Sequence, residues 1–336
     1  MKILVIRFSS IGDIVLTSPV IRCLKKQIPG LELHFLTKVS FEKILQNNPY
    51  LNKVYAIKKE VYEVLPALKN EQYDYIIDLH HNLRSLQVKT ALRKKSFSFN
   101  KININKWLVV NLKINTLPAL HIVDRYFETT KSLNISNDEE GLDYFIAGND
   151  EVDIKTLPVS HQSGYIGIVI GAKHFTKRLP DEKTEEICRL LNYPVVLLGG
   201  KEDAERGSKI SNANTNNIYN ACGKYSLNQS ASLIKQSKVI ITNDTGLMHI
   251  AAAYKKNIIS VWGNTIPEFG MSPYLPLGEY GTQSGKRLIF EVKGLSCRPC
   301  SKIGYDKCPK GHFKCMNDIN INDIVKSVQR YLQDNH

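Results

Sequence analysis

Short apolar runs, each closed by a polar or glycine-bearing turn and followed by helical spacing, recur along most of the chain. The first is Ile3-Leu4-Val5-Ile6, after which Val20, Ile21, Leu24 and Ile28 share one helical face. An apolar run without polar alternation reads as a strand covered on both sides, and the 3.6-residue spacing reads as the helix that covers it. In the first half this pattern predicts strands at 2–8, 32–36, 53–57, 75–79 and 96–100, with helices over 41–46, 62–69 and 121–133. Residues 134–153 are polar, acidic and glycine-containing, and read as a linker.

The pattern then starts again. Strands are predicted at 164–170, 195–198, 217–220, 239–242 and 258–262, and helices at 181–191, 204–211, 227–236 and 247–254. Strands alternating with helices imply parallel sheets with helices on both faces. The expectation is an α/β chain of two Rossmann-like domains facing across a cleft, at 1–153 and 154–320, with a C-terminal helix at 321–336. That helix carries Ile321, Ile324, Val325, Val328 and Leu332 at helical spacing and can pack on either domain.

Composition narrows the class. A chain of 336 residues that is 43% hydrophobic is globular and long enough for two cores. No apolar run reaches membrane-spanning length, and the first is broken by Arg7 and lacks a small-residue cleavage site. A cytoplasmic protein without a signal peptide is expected. The formal charge of +13 reflects either lysines on solvated faces or attraction to something anionic. The anionic partners it fits are nucleic acid, a phosphate-bearing substrate or the negative cytoplasmic membrane surface. Basic clusters such as Arg93-Lys94-Lys95 are short and lack the stacked aromatics of RNA-binding signatures, which weighs against nucleic acid.

Four segments carry candidate chemistry. "VIITNDTGLMHIAAA", 239–253, runs from a strand into a helix that opens near Thr245 and Gly246. Its first-turn amides at Gly246, Leu247 and Met248 have no intrahelical partner, and with the positive end of the helix dipole they suit an anion. His249, one turn on, adds a donor. The plain alternative is Asp244 or Thr245 as a helix cap and His249 as a satisfied histidine. "GAKHFTKRLPDEKTEEI", 171–187, places Lys173, Lys177 and Arg178 in a loop, either as a solvated basic loop or as cations for a diphosphate leaving group. "LLGGKEDAERG", 197–207, offers Glu202 or Asp203 to ribose hydroxyls, or simply offsets a helix dipole.

The fourth is "RFSSIGDIVLTSP", 7–19. It lies where an α/β fold holds phosphate, yet it has one glycine, Gly12, followed by an acid, Asp13. A carboxylate repels phosphate. Asp13 therefore reads either as a helix cap or as a base that takes a proton from an attacking hydroxyl.

Seven cysteines are present. Cys23 and Cys188 fall on apolar helical faces and read as core, and Cys222 has no assigned role. Cys297, Cys300, Cys308 and Cys315, with His312 among them, begin like half a zinc knuckle, but the second pair is loosely spaced. A reduced surface loop or a structural zinc fits this segment; a disulfide does not suit a cytosolic chain.

In this order, "RFSSIGDIVLTSPVIRCLKKQIPG", "DLHHNLRS", "KRLP", "LLGGKEDAER" and "NDTGLMHIAAAYKKNIISVWGNT" resemble glycosyltransferase family 9, the heptosyltransferases of lipopolysaccharide core assembly. The resemblance spans nearly the whole chain. It implies a GT-B architecture and an inverting transfer that needs no cofactor and no metal in the active site. It implies Asp13 as catalytic base and Lys177 near the sugar phosphates. Glu202 or Asp203 would meet the ribose, Asp244 the sugar hydroxyls, and Thr245, Gly246, Leu247, Met248 and His249 the diphosphate. Ser10, Gly12 and Arg84 fall on the acceptor side. Met248 stands where family members often carry Ser or Pro, which a backbone cradle tolerates.

The implied donor is an ADP-sugar, usually ADP-heptose, and the implied acceptor is an anionic lipid-linked saccharide at the inner leaflet. Nucleic acid is not an implied partner. Peripheral contact with an anionic membrane would give the basic charge a use. Two rivals remain from the residues alone: a sugar-nucleotide epimerase, which would need more acids around the anomeric carbon, and a non-catalytic basic module for RNA or membrane on the same fold.

Overall fold

The computed structural model describes residues 1–276 and 287–333. The chain forms two compact units: Met1–Ile102 with Leu120–Ala147, and Asn103–Ala119 with Gly148–His336. Among the described residues the first unit holds a parallel sheet of β1 (Lys2–Ile6), β2 (Glu32–Lys38), β3 (Lys53–Ile57), β4 (Tyr75–Asp78) and β5 (Lys95–Ser98), in the order β3-β2-β1-β4-β5. The second holds β6 (Ile166–Val169), β7 (Val195–Leu198), β8 (Ile218–Asn220), β9 (Val239–Asn243), β10 (Asn257–Trp262) and β11 (Arg287–Glu291), in the order β11-β10-β9-β6-β7-β8.

These orders follow from the residues. β1, β6, β7 and β9 are buried along almost every position, so each must be a central strand flanked by others and covered on both faces. Each sheet winds outward from one strand and then restarts on its other side, so β1 lies beside β4 and β6 beside β9. At such a switch point the loops leaving the two carboxyl ends diverge and leave a crevice, where ligands of these sheets bind.

The boundary differs from the expected one. Residues 134–147 are held in the first unit because their acids serve a buried cation. Arg22, 2% exposed, pairs with Asp138 at 2.6 Å and with Asp143, and donates to the Gly141 carbonyl at 2.9 Å. A polar, acidic sequence reads as linker unless its counter-ion is known. From Gly148 onward the chain joins the second unit, where Asn228 donates to Asp150 at 2.8 Å and the Val152 amide to Ser232 at 2.9 Å.

Among the described residues several elements escape the periodicity. β11 is half-buried throughout, and the helix Leu83–Leu92 leaves Leu83 and Leu86 exposed, so neither shows an apolar face. The helix Asn103–Trp107 continues as a π-helical turn, Leu108–Leu112. The C-terminal helix, Ile321–Gln333, packs against the helix Asp181–Leu191 of the second unit; residues 334–336 of the expected helix lie outside the described residues.

Candidate active site

In the first unit the chain leaves β1 through Arg7 and enters the short helix Ile11–Val15 with Ser10 as its cap. Asp13 sits in that first turn. Its carboxylate accepts from the Ser10 hydroxyl at 2.7 Å and the Ser10 amide at 3.1 Å, and pairs with the Arg7 guanidinium at 2.6 Å. Arg7 is 7% exposed and has little freedom. It donates to the Ser9 carbonyl at 2.8 Å and to that of Leu79, and lies over the rings of Phe99 and Tyr126. Burial pushes the Asp13 carboxyl up, but the Arg7 charge and the Ser10 bonds outweigh it and hold the group below the ordinary carboxylate range. Asp13 is thus an ionised, fixed carboxylate whose side chain keeps 19% exposure. Gly12 is buried beside it.

The neighbouring strand β4 delivers the second loop to the same edge. Fully buried Asp78 pairs with Lys89 at 2.9 Å and accepts from the amides of His80 at 3.0 Å and His81 at 2.7 Å, which fixes the loop. His80 stands edge-on to Phe8 with ring centroids 5.3 Å apart. Burial, then the charges of Arg7 and Lys101, push His80 down to about 4, so it is neutral at physiological pH. Arg84 lies in the first turn of the helix that Asn82 caps, half-buried, with its Nε in no hydrogen bond.

In the second unit the loops after β6 and β9 meet. Lys177, at the end of the turn Phe175–Lys177, places its ammonium 2.6 Å from Asp244, and the Thr265 hydroxyl donates to the same oxygen at 2.9 Å. Asn243 ties the strand ends together by donating to the Val169 carbonyl at 3.1 Å and accepting from the Leu179 amide at 3.2 Å. Thr245 caps the helix Gly246–Ala253 through the Leu247 amide at 3.1 Å. Gly246 and Leu247 stay half-exposed at the helix start, whereas Met248 and His249 turn inward, 0% and 2% exposed.

The turn Lys201–Asp203 after β7 separates the two acids the sequence left open. Asp203 is 1% exposed, accepts from the Gly200 amide at 3.0 Å and stands 3.5 Å from Arg206. A Cβ on Gly171 would come 2.3 Å from the Asp203 carboxylate, so this close approach requires glycine. Asp203 builds the turn; Glu202 is exposed and available to a ligand.

Sequence reasoning missed Arg7, His80 and Thr265. Only Arg7 left a signal, as a cation closing an otherwise apolar strand. Cys297 lies 3.8 Å from His312, and all four cysteines of that segment are free thiols. Burial, then neighbouring Cys297, pushes Cys300 up to about 11, and burial pushes Cys315 up to about 12. Among the described residues, one His/Cys/Asp/Glu trio has ligand atoms within 4.8 Å of one another: Glu32, His34 and Glu71. Lys2 and Lys53 already neutralise Glu71 at 2.7 and 3.0 Å, at the amino-terminal edge of the sheet.

A family model for glycosyltransferase family 9 (heptosyltransferase) matches residues 61–286. The chain belongs to this family. It is a glycosyltransferase, with the candidate residues above falling inside and before the matched region. A Haemophilus ducreyi lipooligosaccharide heptosyltransferase 2 is 26% identical over 360 residues, covering 99% of each chain. A Campylobacter coli lipopolysaccharide heptosyltransferase 1 is 25% identical over 289 residues, 79% of this chain and 84% of that one. In fold the chain is similar to the GT-B structure of E. coli ADP-heptose LPS heptosyltransferase II, with a TM-score of 0.76 at 22% identity and full coverage of both chains. No helix among the described residues is long and apolar enough to cross a membrane.

Proposed function

We propose that this glycosyltransferase moves heptose, or a closely related sugar, from an ADP-sugar to an anionic lipid-linked saccharide with inversion at the anomeric carbon. One observation carries the reading: at the switch point of the second sheet, Lys177, Asp244 and Thr265 are fastened together beside the start of the helix at Gly246, whose half-exposed first residue precedes the Leu247 amide that Thr245 caps. Helix amides and a lysine suit a diphosphate that gains charge as it departs, and an acid among them suits sugar hydroxyls.

In the transfer, the acceptor oxygen forms a bond to the anomeric carbon while the bond from that carbon to the phosphate oxygen breaks. The acceptor proton passes to Asp13. The electron pair leaves with ADP, whose added negative charge the Gly246 amide, the positive end of the helix dipole and Lys177 stabilise. A carboxylate held below its ordinary range is a weak base, so it accepts the proton late, when attack has already acidified the hydroxyl. Glu202 takes the ribose role, because Asp203 is spent on its own turn. Ser10 and Gly12 set the position of Asp13 and Arg84 meets an acidic group of the acceptor, with His249 supporting the cradle from within the helix. No step calls for a metal or a cofactor. The same reading takes the protein to the inner face of the cytoplasmic membrane as a peripheral enzyme.

Titration calorimetry with ADP, UDP and GDP at one salt concentration tests the donor. Saturable binding of ADP alone supports the reading, a preference for UDP or GDP keeps the transferase and changes its donor, and binding of none removes the cradle.

A further inference from the structure

Between Asp78 and Asp124 the chain has no acidic residue, yet those 45 positions hold eight lysines and arginines. Among the described residues, the same stretch contributes seven of the fourteen exposed large hydrophobic residues: Leu83, Leu86, Ile104, Trp107, Leu112, Ile114 and Leu120. Positive charge and exposed apolar bulk therefore coincide. Within the second unit they meet on one element, the helix 103–112 and the residues just after it.

That element has two sides. Val109 is buried with Ile266 and Phe269, and Val110 and Leu117 pack against the same cluster. Lys113, left-handed at the helix end, donates to the carbonyls of Val110 at 2.9 Å and Pro299 at 2.7 Å, and Lys106 lies over the Phe269 ring. The inner side is thus seated. On the outer side Ile104 is 76% exposed, Trp107 56%, and Leu112 and Ile114 52% each. Ile104 and Trp107 are three residues apart in an α-helical turn. Trp107 and Leu112 are five apart across a π turn, whose wider repeat keeps them on one face.

We propose that this face docks on an anionic lipid bilayer, with Ile104, Trp107, Leu112 and Ile114 entering the headgroup boundary and the basic, acid-free stretch around them in the sequence favouring anionic lipid. A tryptophan among aliphatic residues, flanked by lysines and free of acids, is the chemistry of an interfacial helix. Water gains nothing from four exposed apolar side chains within eleven residues, and an acidic protein partner would not require their bulk. The proposal rests on the peripheral-membrane part of the functional reading and is independent of the donor.

The protein supplies its own reporter. Of its two tryptophans Trp262 is 1% exposed, so a change in emission on adding vesicles comes from Trp107. The intact protein is mixed with vesicles of phosphatidylcholine containing phosphatidylglycerol, and with phosphatidylcholine alone, and binding is read by sedimentation and by emission. Expected are a blue shift and sedimentation with the anionic vesicles, weakened by 0.5 M salt, about the concentration that screens beyond a few ångströms. The double variant Ile104→Asp/Leu112→Asp, which keeps Trp107, should bind at least about tenfold more weakly. If the wild type binds and the variant binds equally, with Trp107 emission unchanged, this face is the wrong one although membrane attachment stands. If the wild type ignores both vesicles, the membrane reading itself fails. Equal binding to neutral vesicles overturns the role of charge, and a dimer that the double variant abolishes, without vesicle binding, assigns the face to a second copy.

Discussion

Two strand-to-helix turns, one in each unit, leave strands that flank the switch points of their sheets and carry opposite chemistry. After β1, the cap residue Ser10 gives both its hydroxyl and its amide to Asp13, whose carboxylate lies inside the first turn. The helix start is therefore already filled by its own anion, and Arg7 behind it fixes that anion further. After β9, the acid stands outside the turn: Asp244 precedes the cap and is drawn to Lys177 and Thr265, so Gly246 opens the helix unobstructed. One turn presents an acceptor of protons and the other presents donors to an anion. Under the proposed function, a shift of an acid by a few positions along similar turns separates a base from a phosphate cradle, because the positive end of a helix favours whichever anion reaches it first.

The comparison can be broken most sharply at Asp13. Asp13→Asn keeps size and hydrogen bonding but removes the base, and transfer is expected to fall by about 10²- to 10⁴-fold. ADP affinity should stay within twofold by calorimetry; a comparable loss of ADP binding would contradict the separation of roles. On the other turn, Lys177→Met leaves Asp244 with Thr265 alone and removes a cation from the leaving group. Turnover should drop about 10²-fold, and ADP affinity should fall with it.

Arg7→Met sharpens the first turn through its pH dependence. Asp13 is held below its ordinary value in the folded protein, so its stabilising contribution is present above the unfolded pKa and is lost as pH falls through the lower folded one. Without Arg7 the burial of the carboxyl prevails, and the acid limb of kcat/KM should move up by about one unit or more. The variant should also lose about 3 kcal/mol of stability, since a buried pair has lost one partner. An acid limb that stays in place after Arg7→Met would assign it to another group. The smallest effects separate Glu202 from Asp203. Gly171→Ala forces a methyl against the Asp203 carboxylate and should lower stability by about 1–3 kcal/mol in a thermal melt. Glu202→Ala should leave the melt unchanged and weaken ADP about three- to tenfold, the worth of one hydrogen bond.

Much of this was legible from pattern. The central strands announce themselves because burial on both faces demands unbroken apolar runs, and Cys23 and Cys188 lie in the core because they fall on apolar helical faces. The turns after β1 and β9 could be found because each joins such a strand to a capped helix. Beyond that, local pattern fails in identifiable places. The acids at 138 and 143 look like linker until Arg22, far away in sequence, reaches them. β11 and the helix Leu83–Leu92 bury too little to show a period.

By itself the sequence determined the alternation of strands and helices, the two turns and the residue types they carry. Those depend on spacing and on the side chains' own chemistry, and both are local. Only the tertiary structure decided that Arg7 meets Asp13, that Thr265 joins Lys177 on one oxygen of Asp244, and that Asp203 is buried while Glu202 is free. It also decided that the helix 103–112 turns Val109 inward and Trp107 outward. The reason is the same in each case. Which of several chemically equivalent side chains is desolvated, paired or left in water depends on neighbours brought in by strand order, and strand order is a property of the folded sheet.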